Sequence, residues 1–402
     1  MSESETDSNQ ASSDSIESAR RKVAEQRGKI DDLDRQLVEL LQERRVLVSE
    51  IAALKRAGSL PIRDDARERA MHALHAQWAE ELELPPTVIE GLFRMVLWSS
   101  RNYQAQLRTA VPAGVASRRV AIIGGEGSMG RQFARAFESL GNEVLRADLD
   151  TSLRPAEAVA DAQVVLFAVP IAQTERIIAE LAPLARPDAL LTDITSVKAG
   201  PVAAMREHGE ATVIGTHPLF GPAVNSMQGQ RIVLTPAWDA DADAREGDPH
   251  GWLPWLETSL RAMGLELVRS TPAGHDRAMA IVQVLTHYST EVLGRSLQRL
   301  GVSLEETLRF TSPIYYIDML MAARHFAQRS ELYASIQTQN PNTEQVTAVF
   351  REVAEELAGI ISAKDGDAFS EVFDEVREFF GEFSPRALDE SRYLIDRLVE
   401  RR

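Results

Sequence analysis

Gly125, Gly127 and Gly130 fall at the spacing GxGxxG, directly after the apolar run RVAII (119–123) and at the start of SMGRQFARAFESL (128–140). In a strand–turn–helix unit the first glycine permits the tight turn. The second lets a pyrophosphate approach the backbone, and the third lets helix pack on strand. Ser128 and Met129 then sit in the first helical turn, where free N–H groups and the helix dipole favour an anion. Asp148 closes the next run, EVLRAD (143–148), 18 residues past Gly130. A carboxylate there accepts from a ribose 2′-hydroxyl and repels a 2′-phosphate, so the pattern predicts NAD rather than NADP.

Eight histidines compete for acid–base work. His217 closes the run ATVIGTHP (211–218), and Ser196 follows ALLTDITS (189–196). In a doubly wound sheet both would reach the carboxyl edge of the strands, where ligands bind. An imidazole beside a nicotinamide suits a dehydrogenase, because the alcohol must lose its proton as hydride leaves. A buried structural histidine fits the same position equally well. His275, near the start of a C-terminal helix, is the next candidate, and His287 lies inside that helix. Arg324, in LMAARHFAQ (320–328), either snorkels outward or holds a carboxylate.

A second group lies near the N-terminus. Arg44 and Lys55 are 11 residues apart, which on a helix leaves them about 20° apart around the axis and about 16 Å along it. Asp64 can cap the helix that follows, which carries Arg67 and Glu68, and Gln104 lies on a third helix. Cations with a glutamine among packed helices describe a pocket for a small dicarboxylate; ordinary surface charges give the same spacing.

These residues need elements to hold them. Ile30, Leu33, Leu37, Leu40, Leu41, Val48 and Ile51 recur at helical spacing. The chain from 16 to 108 therefore reads as an all-α module of three helices, one too long to bury its own stripe, and completed by a second chain. Residues 1–15 are acidic and serine-rich and read as a disordered tail, and 109–118 as a small-residue linker. Between 119 and 270 short β-branched runs alternate with helical segments, predicting an α/β, Rossmann-like, mostly parallel sheet. From 271 to 402 the pattern is helical throughout.

The whole chain has 402 residues, a net charge of −16 and no cysteine. Disulfides, cysteine zinc sites and thiol catalysis are excluded. The acidic surface argues against nucleic-acid or anionic-membrane partners, and no metal-ligand spacing stands out. No apolar run is long enough to span a bilayer, and the acidic N-terminus is unlike a cationic signal, so a cytoplasmic protein is expected.

The stretches QRGKIDDLDRQLVELLQERRVLVSEIAALK, LPIRDDARERA and RNYQAQ resemble the all-helical chorismate mutases. IIGGEGSMG, DITSVK, THPLFGP, GHDRAMAIVQ, SPIY and RHFAQ resemble the prephenate dehydrogenases. Their fusion in this order resembles the bifunctional enzymes of L-tyrosine biosynthesis, from about residue 20 to the end. The resemblance implies that chorismate rearranges to prephenate in the first module, with Lys55 and Gln104 donating to the ether oxygen. It likewise places Arg27, Arg44 and Arg67 on carboxylates, and Asp64 and Glu68 in the pocket, with Glu68 accepting from the substrate hydroxyl. In the second half it makes His217 the base beside Ser196, His275 and Gln283 pocket residues, and Arg324 a substrate-carboxylate ligand, with NAD as cofactor. A homodimer and feedback inhibition by L-tyrosine are also implied. Thr286 and Tyr316 depart from the pattern, standing where close relatives carry arginines. A competing reading keeps a prephenate or arogenate dehydrogenase and makes the helical module a sensing or dimerising domain. A third is a different NAD-dependent dehydrogenase fused to a helical dimerisation domain.

Overall fold

The computed structural model describes residues 3–57, 65–106, 116–224, 226–238 and 247–399. Two compact units are present: residues 1–115 with the short segments 225–229 and 262–264, and the remainder of the chain. The sequence divides that remainder at 271, whereas sheet and C-terminal helices fall in one unit.

The first unit is three helices: α1 (Glu3–Ala57), α2 (Asp65–Glu81) and α3 (Pro86–Gln106). The expectation of a disordered tail over 1–15 is corrected, because α1 is already helical from Glu3. Glu, Gln and Ala are good helix formers, and acidic residues near an N-terminus oppose the positive end of the dipole. Gly58 and Pro61, the helix-breaking residues that follow α1 in the sequence, lie outside the described residues, as does most of the 109–118 linker. The unit buries Val48, Ala52, Ala79 and Leu97, yet Ile30, Leu33, Leu37, Leu40 and Leu47 of α1 remain exposed.

In the second unit each predicted strand forms, giving a seven-stranded sheet: β1 (Arg119–Ile123), β2 (Glu143–Ala147), β3 (Val164–Phe167), β4 (Leu190–Asp193), β5 (Thr212–Pro218), β6 (Arg231–Pro236) and β7 (Glu266–Arg269). The spatial order is β2-β1-β3-β4-β5-β6-β7, parallel except where β5 meets β6. Strand order reverses around β1, which pairs with both β2 and β3. Ligands bind at such a switch point, outside the carboxyl ends of the strands. Ala121, Ile123, Val165, Phe167, Leu191 and Val213 pack with Ile178 and Met205 into the core, so the strand ends are rigidly placed.

The helices from Pro272 to Val399 follow, and the first of them is irregular. After α-helix Pro272–Met279 the residues Ala280–Leu285 form a π-helical turn before helix Thr286–Leu300. Periodicity predicts a plain helix here. A π turn inserts a residue into the ladder and is common at functional sites. Phe369, Phe373, Phe379, Phe380 and Phe383 lie exposed on the last helices.

Helix–strand packing at the glycine turn gives a first prediction. A methyl group at Gly130 would lie 2.2 Å from the Gly124 carbonyl oxygen and 3.0 Å from Gly125 Cα, all backbone. Gly130→Ala should destabilise the second unit by about 1–3 kcal/mol through overpacking. Thermal denaturation checks this; an unchanged transition would show that the turn relaxes freely.

Candidate active sites

In the helical unit, Arg44 projects from α1 toward α3 and its guanidinium donates to Ser100 Oγ. Ser100 Oγ in turn donates to the Val96 carbonyl at 2.7 Å. Among the described residues no carboxylate pairs with Arg44, and burial lowers its pKa. A half-buried guanidinium held by a hydroxyl is a ready partner for a carboxylate. It lines a cleft of about 460 Å³ together with Gln42, Arg45, Ser99, Ser100 and Tyr103. Gln104 follows Tyr103 in the chain, and its Oε1 is buried without a partner among the described residues. His75, stacked on Phe93 at 3.7 Å, is held below the usual histidine pKa by burial and then by His72, Arg44 and Arg67. Arg44 and Arg67 both act on His75.

The remaining expected residues are less concentrated. Lys55 is half-buried near the end of α1, and Arg67 is exposed on α2. Glu68 is paired with Arg101 at 2.6 Å, an interaction that the sequence reading did not include. Arg27 is exposed on α1, and Asp64 lies outside the described residues. Ser100 was missed; a hydroxyl one turn before Gln104 on α3 was the available signal.

At the sheet edge, Gly124 takes φ +82, the left-handed region that glycine tolerates. Its N–H and that of Gly125 donate to the Ala147 carbonyl at 2.9 and 3.3 Å, tying the turn to β2. Asp148 Oδ2 accepts from Glu126 N at 3.0 Å and Oδ1 from Leu149 N at 2.9 Å, which fixes the carboxylate beside the turn. Helix Ser128–Ser139 begins without a side-chain cap, and Gly127 and Ser128 are exposed. Met129 is half-buried behind them. This turn, with the backbone N–H groups of Ser128, Met129 and Gly130 at the open start of the helix and a carboxylate beside it, fits a dinucleotide.

His217 is the penultimate residue of β5 and is 2% exposed. Its Nδ1 is 2.8 Å from His275 Nε2, and His275 Nδ1 is 2.8 Å from Asp276 Oδ1. Both nitrogens of His275 are thus engaged, which sets this expected pocket residue directly against His217. Below them lies Lys198, fully buried. Its ammonium donates to Asp193 Oδ2, to Thr195 Oγ1 at 3.2 Å, and to the Thr216 carbonyl at 2.7 Å. Burial lowers the Lys198 pKa, while Asp193 and Asp276 oppose that shift. Burial holds the His217 pKa well below its usual value, helped by His275 and Lys198. Ser196 is half-buried in the same loop, between Thr195 and Val197.

Gln283 lies in the π turn, and its Oε1 is buried without a partner among the described residues. Arg324 is exposed; its charge bears on Tyr333, and the charges bearing on His217 are those of His275 and Lys198. Thr286 is exposed and Tyr316 half-buried. Sequence reasoning missed Asp193, Lys198 and Asp276, although Asp193 closes a strand and Asp276 adjoins His275.

Residues 26–105 match chorismate mutase type II, 142–246 the prephenate dehydrogenase nucleotide-binding domain, and 271–375 the prephenate dehydrogenase dimerization domain. The glycine turn precedes the second match. A T-protein of Enterobacter agglomerans is 34% identical over 92% of this chain and 96% of its own length. The chain belongs to the T-protein family. A second T-protein, from Haemophilus influenzae, is 32% identical over 92% of this chain and 95% of its own. Prephenate dehydrogenase from A. aeolicus, solved with hydroxyphenyl propionate and NAD+, shares the fold of the second unit. Its TM-score is 0.54 at 19% identity, covering 67% of this chain and 99% of that one. The chain joins a chorismate mutase domain to prephenate dehydrogenase domains.

Taken as the base, the buried histidine gives the chain a testable pH profile. A base works only when neutral, so activity falls as pH drops through its folded pKa. That value lies well below the usual one, so kcat/KM for prephenate oxidation should stay flat from pH 7.5 down through about 6.5. Half-loss at or above pH 6.5 would contradict the assignment.

Proposed function

We propose that the chain converts chorismate to prephenate in its helical unit and oxidatively decarboxylates prephenate to 4-hydroxyphenylpyruvate with NAD, on the path to L-tyrosine. The observation that carries this reading is the pairing of two unlike sites. One is a half-buried arginine with no carboxylate partner among the described residues, and the other a buried histidine at the switch-point edge of a dinucleotide sheet.

A Claisen rearrangement needs no proton transfer. The helices hold the reactive conformer and stabilise charge developing on the ether oxygen. Lys55 and Gln104 donate to that oxygen, Arg27, Arg44 and Arg67 bind carboxylates, and Asp64 and Glu68 complete the pocket. NAD, held by Gly125, Gly127, Ser128, Met129, Gly130 and Asp148, supplies the hydride acceptor when bound. His217 takes the proton of the ring hydroxyl, with Ser196 beside it, as carbon dioxide leaves and the ring becomes aromatic. Gln283 and Arg324 serve substrate binding. L-Tyrosine, which shares the phenol ring of the product, would compete in that pocket as a feedback inhibitor. The reading places the enzyme in the cytoplasm, supported by the sequence alone.

The dimerization-domain match and the exposed apolar face of α1 support a homodimer. Arg27 and Arg44 lie on one continuous helix, and their 17-residue separation is about 25 Å along the axis. One chorismate cannot reach both on a single chain, so Arg27 serves the partner's pocket across a two-fold axis.

Incubating the protein with chorismate tests the whole reading. Chorismate absorbance should fall without NAD, and NADH should form only when NAD is added. Chorismate left untouched in both conditions would favour the sensing-domain reading, which keeps only the dehydrogenase. Mixing tests the dimer. Arg27→Ala and Arg44→Ala homodimers should each be nearly inactive as mutases, and after random subunit exchange about a quarter of wild-type activity should return. A mixture that stays inactive after demonstrated exchange would place Arg27 within its own chain.

A further inference from the structure

Asp276 lies outside the residues assigned to the chemistry above, yet it ties three segments together. Oδ1 accepts from the Lys198 backbone N–H at 2.8 Å and Oδ2 from the Ala199 N–H at 2.9 Å, at the start of helix Ala199–His208. Oδ1 also faces His275 Nδ1 at 2.8 Å. Its own backbone carbonyl accepts from Asn340 Nδ2 at 2.8 Å. Asp276 is 1% exposed and His275 is 1% exposed, so water does not compete for these contacts.

A carboxylate only accepts hydrogen bonds, so the proton of neutral His275 must sit on Nδ1. Its Nε2 then carries a lone pair, and His217 Nδ1, 2.8 Å away, must be the donor between the two rings. Neutral His217 is left with its lone pair on Nε2, the one ring nitrogen without a partner among the described residues. A chain of two forced tautomers thus runs from Asp276 to the atom that must take a proton.

We propose that Asp276, acting through His275, is a positioning residue for the dehydrogenase: it fixes the tautomer of His217 that presents an unprotonated Nε2 to the substrate hydroxyl. This rests on the reading of His217 as the base. When the hydroxyl proton moves to Nε2, the Nδ1 proton stays in its bond to His275, and the Asp276 carboxylate stabilises the resulting cation through the intervening ring. No second proton transfer is required. The two rings are crossed at 73° with centroids 5.0 Å apart, which places an N–H of one on the lone pair of the other rather than stacking them.

Asp276→Asn removes the negative charge that stabilises the cation, and an amide turned with its NH2 toward His275 Nδ1 also reverses both tautomers and protonates His217 Nε2. Steady-state prephenate oxidation should show kcat reduced by about 10²-fold or more, with KM for prephenate and NAD within about threefold of wild type. Mutase activity in the same sample should be unchanged, and the thermal transition of the second unit reports on folding. A folded Asp276→Asn protein with kcat within about threefold of wild type would overturn the proposal. His217→Asn, measured in parallel, separates the two readings. If it too keeps kcat, the base assignment falls and the proposal with it; if only Asp276→Asn keeps kcat, the proposal alone falls. Should Asp276→Asn lose its thermal transition, the wild-type protein labelled with ¹⁵N-histidine decides. His217 as the Nδ1–H tautomer at neutral pH supports the proposal, and the Nε2–H tautomer overturns it.

Discussion

The dehydrogenase half depends on one buried ion pair. Lys198 and Asp193 meet with no exposure of either residue, at the carboxyl edge of the sheet. Charges taken out of water are costly, and removing one partner from such a pair typically costs about 3–5 kcal/mol because the other is left uncompensated. The structure offsets the cost with further hydrogen bonds. Asp193 Oδ2 accepts from the Thr195 backbone at 3.0 Å as well as from its hydroxyl, and the ammonium reaches the carbonyl of Thr216, one residue before His217. The pair thereby ties the ends of β4 and β5 together. Asp276 then ties the backbone of Lys198 to the helix that carries His275. Through these steps a fixed charge inside the fold becomes a fixed imidazole at its edge.

The mutase half solves the opposite problem. Its substrate brings the negative charge, so the helices hold cations ready. Arg44 is buried enough to lower its pKa, and its anchor is a neutral hydroxyl rather than a carboxylate. Chorismate carboxylates would supply the missing partner, with two parallel N–H···O bonds available from a guanidinium. His75 sits close enough to feel Arg44 and Arg67, and remaining neutral avoids adding a third positive charge to that interior.

Much of this was legible in the sequence where one residue type, repeated at a fixed period, does the work. The central runs became strands because burial on both faces leaves no polar alternative, and GxGxxG with Asp148 read correctly as a turn joined to the next strand. Single-residue chemistry was harder to read. Lys198 and Asp276 are separated by 78 residues and His217 and His275 by 58, and no local pattern announces such meetings. The π turn at Ala280–Leu285 was hidden for the same reason, since its apolar residues satisfy an ordinary helical period. Helix at Glu3 was missed because a polar, acidic stretch was judged by its lack of a core to bury, while its helix-forming residues went unweighed.

The central claim is that one chain holds two independent sites, each organised by its own unit. The direct measurement follows both activities in Lys55→Ala and His217→Asn proteins that retain the circular dichroism of wild type. Lys55→Ala should lose about 10²-fold or more in chorismate rearrangement and keep prephenate oxidation, because the donor acts on the transition state of one reaction only. His217→Asn should show the reverse. Equal loss of both activities in either folded variant would mean a shared site and would contradict the account.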